Sequence, residues 1–180
     1  MNFRLTEEQI LIQKTAREFA DNELAPGVVE RDDKKIWPRE GVKKMGELGF
    51  MGMMVDPIWD GGGVDTVSYT IAMEEISRVE ASSGVIMSVN NSLVCYLLEN
   101  FGSEYLKEKY LKQLASGNKL GAFSLSEPQS GSDAANMRTI ATKKGDHYLI
   151  SGTKNWVTNG LNSDYVINPF VTQFLVPDIR

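Results

Sequence analysis

The sequence predicts an α+β protein with an all-α helical part first and a β-rich part second. Apolar residues at helical spacing dominate the first 117 residues, whereas short alternating segments with hairpin turns dominate the rest. The charge divides near the same place, because residues 1–118 hold 13 basic and 19 acidic side chains and residues 119–180 hold 6 and 5. We therefore predict a helical domain over residues 1–117 and a partial β domain over residues 118–180.

Four helices besides the first follow from caps and apolar spacing. Thr6 and Gln9 form a capping-box pattern that opens the first helix, and Pro26 ends it. The expected extents of the others are Pro38 to Gly46 or Gly49, Tyr69–Val79, Ser83–Phe101 and Ser103–Gly117, with a loop at residues 60–63.

The sequence also predicts an ion pair on one of these helices and the burial of another. Glu74 and Arg78 are one turn apart and are expected to pair on the exposed side of their helix. Apolar residues cover nearly the whole circumference of the helix Ser83–Phe101, so we expect it to be buried on several sides and to lie at the centre of the domain. Cys95 is expected to be a small core residue within it.

Hairpin signals define the second part. Residues 139–142 and 147–150 flank a Lys-Lys-Gly-Asp turn, which predicts two antiparallel strands. Residues 155–158, just before an Asn-Gly pair, are predicted as a further strand followed by a turn. His147, the only histidine, is expected to be exposed beside the hairpin turn, with no nucleophile to serve.

Composition excludes several classes of function. With 42% apolar and 24% charged residues among 180, the chain can bury a core, and its charge of −5 without a dense basic cluster argues against nucleic acid. No run approaches the roughly 18 unbroken apolar residues of a membrane span, and the first residues lack a secretory pattern. A single cysteine fits a reducing compartment. We expect a cytoplasmic protein without a membrane span or a metal site.

The segment 122–133 is the first candidate site. An apolar strand breaks there into a loop rich in hydroxyl groups, Gly and Pro. Amides bared by Gly131, together with the hydroxyls of Ser126, Ser130 and Ser132, could hold a phosphate or the polar edge of a heteroaromatic ring. A strand-to-strand turn capped by Ser and Asx side chains explains the same composition, and composition does not decide between the two.

Trp156 and Thr158 form the second candidate site. In a strand their side chains point to the same face, where the indole can pack on a flat ligand and the hydroxyl can bond to it. Core packing is the commoner role of a strand tryptophan. Together with the serine-rich loop, this spacing fits a flat, anionic, partly aromatic ligand such as a flavin nucleotide.

Both candidate sites coincide with motifs of one family. Leu125–Asp133 (LSEPQSGSD) closely resembles the flavin-binding signature of the acyl-CoA dehydrogenases, and residues 152–160 (GTKNWVTNG) resemble their second flavin segment. The resemblance extends over residues 1 to about 166, with further matches at 5–9, 44–49 and 109–111. The local pattern is most similar to the short-chain, butyryl-CoA members.

The resemblance implies a fold and a reaction. The fold is a helical N-terminal domain followed by a truncated β-barrel-like middle domain. FAD would be bound so that a short-chain acyl-CoA thioester is dehydrogenated between its α and β carbons to the trans-2-enoyl-CoA. The electrons would pass to an electron-transfer flavoprotein, and the full-length protein would be a homo-oligomer. The helix around residues 85–98 would be a wall for the acyl chain.

The resemblance also implies the flavin-binding residues, which are Phe123, Leu125, Ser126, Gly131, Ser132, Trp156 and Thr158. Ser126 would bond the polar edge of the ring. Gly131 and Ser132 would meet the pyrophosphate, with Ser132 also close to the substrate thioester. Trp156 and Thr158 would flank the ring, where fixed N–H and O–H dipoles stabilise the negative charge of a reduced flavin.

The sequence departs from the family pattern toward its end. Family members continue through the rest of the β domain and a helical bundle that carries the catalytic Glu, whereas this chain ends at Arg180. We therefore assign no catalytic acid or base. Residues 168–180 fit the family poorly, which a truncation or an altered reading frame would explain. Asp60 stands where the family often has an aromatic residue, and Trp59 is expected to supply that packing.

Two other functions stay open. The chain is a non-catalytic fragment or an interaction module if it binds no flavin, because a cut β domain leaves an open sheet edge and an uncovered apolar face. An acyl-CoA oxidase differs in what reoxidises the flavin, and the motifs do not separate it from a dehydrogenase.

Overall fold

The computed structural model describes residues 4–172. The chain divides into two compact units, Met1–Leu120 and Gly121–Arg180, and each is described by itself. Helices fill the described part of the first unit and strands the second, which confirms the α+β class. The family domain bounds 1–117 and 118–180 stay a prediction.

The first unit is a helical bundle with short connections. Its helices are α1 (Glu7–Phe19, continued by a π-helical turn Ala20–Leu24), α2 (Val28–Lys34), α3 (Arg39–Glu47), α4 (Thr66–Val79), α5 (Ala81–Ser88), α6 (Tyr96–Phe101), α7 (Glu104–Leu106) and α8 (Lys112–Ala115). Two π-helical segments join α5 to α6 and α7 to α8, and they are Val89–Cys95 and Lys107–Leu111. Two 3₁₀ turns lie between α3 and α4, at Phe50–Gly52 and Pro57–Trp59.

Local signals placed several helix ends correctly, although the helix predicted from Tyr69 begins at Thr66 and the one predicted from Ser83 begins at Ala81. The Thr6 hydroxyl accepts from the Gln9 amide at 3.2 Å and the Gln9 side chain accepts from the Thr6 amide at 3.1 Å, so the capping box is confirmed. Pro38 is the N-cap of α3, and Gly49, which follows that helix, has a left-handed φ of 77°. Helix α2 was missed, because none of its seven residues is buried and it therefore has no apolar stripe.

The core of the first unit forms where α1 packs against α4. The rings of Phe19 and Phe50 lie 5.9 Å apart between centroids, a tilted aromatic contact. Trp59 is half-buried, with the ammonium groups of Lys107 and Lys112 at 5.7 and 5.8 Å from its ring centroid. The largest fully buried apolar side chains are Leu24, Met45, Met51, Ile76, Met87, Leu111 and Leu114.

The predicted pair between Glu74 and Arg78 is wrong. The Arg78 guanidinium instead donates to Asp21 at 2.6 Å and to Glu75 at 3.4 Å. Glu75 is buried and also accepts from Arg17 at 2.9 Å, and this hydrogen bond from Arg17 lowers the pKa of its carboxyl. Arg78 turns away from exposed Glu74 because a buried carboxylate needs cationic partners more than an exposed one does.

The burial predicted for the long central helix is only partly confirmed. The continuous helix Ala81–Phe101 has the length and apolar composition of a membrane span, but half of its most apolar window is buried inside the unit, as in a core helix. Val85 and Tyr96 are about half exposed, while Asn90 and Asn91 are buried. Cys95 is a core residue as predicted, and desolvation raises the pKa of its thiol to about 12.

The buried asparagines have a structural reason. Asn91 accepts from the Met53 amide at 2.8 Å and donates to the Phe50 carbonyl at 2.8 Å, and Asn90 donates to the Met51 carbonyl at 2.8 Å. The buried backbone around residues 50–53 therefore finds its hydrogen bonds in polar side chains of the central helix. Counting apolar residues does not reveal such positions.

The second unit contains two small sheets. The strands are β1 (Gly121–Phe123), β2 (Ile140–Lys144), β3 (His147–Ser151), β4 (Tyr165–Ile167) and β5 (Val171–Thr172), with a 3₁₀ turn at Ala134–Asn136. Strands β1 and β4 pair in parallel, and the order of the other sheet is β3-β2-β5. The predicted hairpin is confirmed, since β2 and β3 are antiparallel around Gly145, whose φ is 62°. All five residues of β3, including His147, are exposed.

Candidate functional site

The serine-rich segment follows β1 as a folded loop, residues 124–138. Glu127 and Ser130 close a tight turn, with the Glu127 amide donating to the Ser130 carbonyl at 2.7 Å and the reverse bond at 3.0 Å. The Ser130 hydroxyl donates to the Asp133 carbonyl at 2.8 Å. Ser130 is buried and its hydroxyl is used internally, so Ser126, Gly131 and Ser132 are the predicted loop positions that stay accessible to a ligand.

The carboxylate of Glu127 holds this loop together. Its Oε2 accepts from the Arg138 amide at 2.6 Å and from the Gln129 side chain at 2.6 Å. Its Oε1 accepts from the Thr139 amide at 2.9 Å and pairs with the Lys154 ammonium at 2.9 Å. Each oxygen therefore has two donors, and the loop is fixed at its start, at its turn and at its end.

The charge of Glu127 is stabilised despite burial. Only 2% of its side chain is exposed. Desolvation by itself raises the pKa of the carboxyl, but the hydrogen bonds from Thr139, Arg138 and Lys154 outweigh it and hold that pKa well below its usual range. A carboxylate with four donors and a lowered pKa is a poor proton acceptor, so Glu127 is a structural anion and not a general base.

Lys154 joins the loop to the second candidate segment. Its ammonium donates to the Leu125 carbonyl at 2.9 Å, in addition to pairing with Glu127. The neighbouring Asn155 amide donates to the Ser126 carbonyl at 2.8 Å. The structure therefore brings residues 125–127 and 154–155 side by side, although 27 positions separate Glu127 from Lys154 in the chain.

The first group of predicted site residues lies at the end of β1 and along the loop 124–138 that follows it. Phe123 ends β1, and Phe123, Leu125 and Ser126 are half-buried. Gly131 and Ser132 are exposed on the loop. A Cβ placed on Gly131 would meet nothing within 4 Å, and its φ lies outside the left-handed region, so the fold itself does not require glycine there. This open space leaves room for the close approach of a phosphate group.

The strand predicted for residues 155–158 is wrong. Residues 152–157 belong to no strand, and 158–162 form a turn. Trp156 has a left-handed φ of 57° and is 91% exposed, so strand alternation does not place it on one face with half-buried Thr158. The bonds that Lys154 and Asn155 make to the loop replace the ladder that a strand would have formed.

Three residues with a role in the site were missed from the sequence. Glu127 and Lys154 stood inside the quoted motifs but received no function, because their pairing across 27 residues leaves no local signal. Asn159, with a φ of 66°, is buried and donates from its side chain to the Gly121 carbonyl at 3.0 Å, which anchors the turn after Thr158 to β1.

Comparison with known families identifies this chain of a helical unit followed by a β unit. The chain matches the N-terminal domain of acyl-CoA dehydrogenase over residues 6–118 and the middle domain of acyl-CoA dehydrogenase over residues 122–174. It belongs to the acyl-CoA dehydrogenase family.

Individual relatives agree with this assignment. A short-chain specific acyl-CoA dehydrogenase of Clostridium acetobutylicum is 46% identical over 160 residues, which cover 89% of this chain and 42% of that protein. A chain in the solved structure of the electron transferring flavoprotein of Acidaminococcus fermentans is 44% identical with a TM-score of 0.88, covering 92% of this chain and 44% of that one. Glutaryl-CoA dehydrogenase of Mycobacterium smegmatis in complex with FADH₂ is 34% identical with a TM-score of 0.89, covering 94% and 44%. The chain spans less than half the length of these relatives.

Proposed function

We propose that the protein containing this chain dehydrogenates a short-chain acyl-CoA thioester to the trans-2-enoyl-CoA with FAD as its cofactor. The observation that carries the proposal is the close pairing of the two motif segments. The hydrogen bonds from Lys154 to Leu125 and from Asn155 to Ser126 make them one surface, although they lie far apart in the chain.

The residues present fit a flavin nucleotide. The open space at Gly131 leaves room for a pyrophosphate, which backbone amides can bind without a charged side chain. Trp156 offers an indole that is almost entirely free of protein contact, at a backbone conformation that costs energy. Such strain persists where the surroundings enforce it and often marks a functional site.

Each site residue then has a distinct task. FAD supplies the two-electron acceptor when it is bound. Ser126, in the segment fixed by Asn155, bonds the polar edge of the ring, while Phe123 and Leu125 line it. Gly131 and Ser132 bind the pyrophosphate, with Ser132 also near the thioester. Trp156 and Thr158 cover the ring and exclude water.

Dehydrogenation requires a base that accepts the α proton, and we assign no residue of this chain to that role. Glu127 is unsuited because its lone pairs are occupied and its pKa is lowered. We therefore do not assign the base to Glu127.

Substrate length, electron acceptor and location complete the proposal. The short-chain specificity named for the C. acetobutylicum relative supports a short acyl chain. The match to a chain in an electron transferring flavoprotein structure supports such a flavoprotein as the acceptor. A homo-oligomer in the cytoplasm stays part of the proposal.

Flavin titration of the protein expressed from its whole reading frame, here called the full-length protein, tests this function. We expect saturable FAD binding, and we expect butyryl-CoA-dependent electron transfer to an electron-transfer flavoprotein that exceeds transfer to oxygen. Faster transfer to oxygen identifies an oxidase. Full-length protein that takes up no FAD contradicts the proposal.

The interaction-module alternative has one supporting observation. Strand β3 lies at the edge of its sheet with all five residues exposed, including Leu149 and Ile150, and such an edge invites pairing with another chain. A colourless protein that forms concentration-dependent assemblies in sedimentation velocity would favour it.

A further inference from the structure

We propose that Glu127 is a positioning residue for the flavin site, because its carboxylate fixes the loop 124–138 and, through Lys154, holds that loop against the segment that carries Trp156. The inference rests on the proposed function, since it assigns a role toward the flavin to a residue that does not touch it.

The geometry singles out Glu127 because its four donors come from three separate places in the chain. The Gln129 side chain belongs to the turn, the Arg138 and Thr139 amides lie eleven and twelve residues on, and Lys154 follows the hairpin β2–β3. Of the predicted ligand positions, Gly131 lies within the stretch 127–139 that these bonds close, and Ser126 immediately precedes it. Removing the carboxylate frees both ends of the loop at once.

Burial makes this link costly to break. The side chains of Glu127 and Lys154 are 2% and 9% exposed, so water does not replace a lost partner. Removing the Glu127 carboxylate leaves the buried Thr139 amide, the part-buried Arg138 amide and the Lys154 ammonium short of an acceptor. If the loop then adopts its binding shape only part of the time, the apparent FAD affinity falls in proportion to the lost population.

The contact between Glu127 and Lys154 is more than an ion pair, because Glu127 also accepts from backbone amides. This difference between the two residues gives the sharpest test. Two of the four donors are backbone amides, which need an acceptor at position 127 whatever stands at position 154. In the charge-swapped double variant Glu127→Lys with Lys154→Glu, the opposite charges remain but the amides lose their acceptor. A pair acting by charge alone would tolerate the swap.

The experiment uses the full-length protein with four variants and two controls. The variants are Glu127→Gln, Lys154→Met, the double variant combining these two, and the swap. The controls are Lys143→Met and Asp146→Asn on the exposed β2–β3 hairpin, which remove the same charges outside the link. FAD affinity is read by fluorescence titration, the folded state by circular dichroism, and loop order by hydrogen exchange at the Arg138 and Thr139 amides.

We expect Glu127→Gln and the swap to raise the FAD dissociation constant about ten- to hundredfold. Lys154→Met should raise the dissociation constant less. The increase in the double variant should be smaller than the product of the two single increases, because both substitutions remove the same interaction. The Arg138 and Thr139 amides should exchange faster. At saturating FAD the bound flavin of Glu127→Gln should show a shifted absorption band, which a loss of folded protein alone would not produce.

Three results overturn the inference, and a fourth separates it from the proposed function. Wild-type affinity in Glu127→Gln, or full rescue by the swap, shows that the link does not position the site. Weaker binding with an unshifted flavin band and a lowered folded fraction shows a purely structural role. Full-length wild-type protein that binds no FAD refutes the proposed function instead, and this is read before any variant is made.

Discussion

Trp156 offers a substitution that should strengthen the fold while weakening the site. Its left-handed φ of 57° costs an L-residue about 1–2 kcal/mol, and Asn tolerates this conformation far better than Trp. With 91% of the residue exposed, the indole buries only about 20 Å² of the roughly 250 Å² available, which contributes about 0.5 kcal/mol. Trp156→Asn should therefore stabilise the second unit by about 0.5–1 kcal/mol.

The same substitution removes the indole that we place against the flavin ring. FAD affinity of the full-length protein should fall about tenfold, in line with the contribution of an aromatic stacking contact. Trp156→Phe is the matched control, since it keeps both the ring and the strained backbone and should change neither quantity strongly. Local stability is measured by hydrogen exchange of the β2–β3 amides. Destabilisation of more than about 1 kcal/mol by Trp156→Asn would refute the reasoning, because the indole would then be packed in the protein.

Three further changes have defined outcomes. Gly131→Ala should leave stability within about 0.5 kcal/mol, since the added Cβ meets nothing, yet weaken FAD binding in titration; unchanged affinity would remove Gly131 from the site. The pKa of Glu127 is lower in the folded state than its unfolded value of 4.5, so its charge stabilises the fold above that pH and this stability is lost as the pH falls toward the folded pKa. The free energy of unfolding of Glu127→Gln, measured in urea, should therefore vary less with pH below about 4.5 than that of wild type. Asn91→Leu leaves the buried Met53 amide and Phe50 carbonyl unpaired and should cost about 2–4 kcal/mol in urea unfolding, whereas a loss under about 1 kcal/mol would show that water reaches them.

Features set by neighbours in the chain could be predicted from the sequence. The capping box of Thr6 and Gln9 spans three residues, and the hairpin around Gly145 spans its own two strands, so their patterns are complete within a short window. Asn91 shows the opposite case. Its place in the core is set by the Met53 amide 38 residues away, and a polar residue with distant partners looks like a surface residue in the sequence.

In the candidate site, too, local features could be predicted from the sequence and long-range contacts could not. The motif residues from Phe123 to Thr158 were proposed because they resemble a family signature, and the spacing within each motif is local. Their arrangement depends on Lys154 reaching the Leu125 carbonyl and the Glu127 carboxylate across 29 and 27 residues. That long-range link also explains why Trp156 does not continue a strand, since the chain there follows the loop and not a neighbouring ladder.

Anaerobic titration of the full-length, FAD-loaded protein with butyryl-CoA tests the central claim most directly. The account predicts that the flavin absorption bleaches with about one equivalent of thioester and that trans-2-butenoyl-CoA forms in matching amount, because α,β-dehydrogenation transfers two electrons to each flavin. A flavin that stays oxidised with butyryl-CoA and with longer and shorter acyl-CoA thioesters would contradict it.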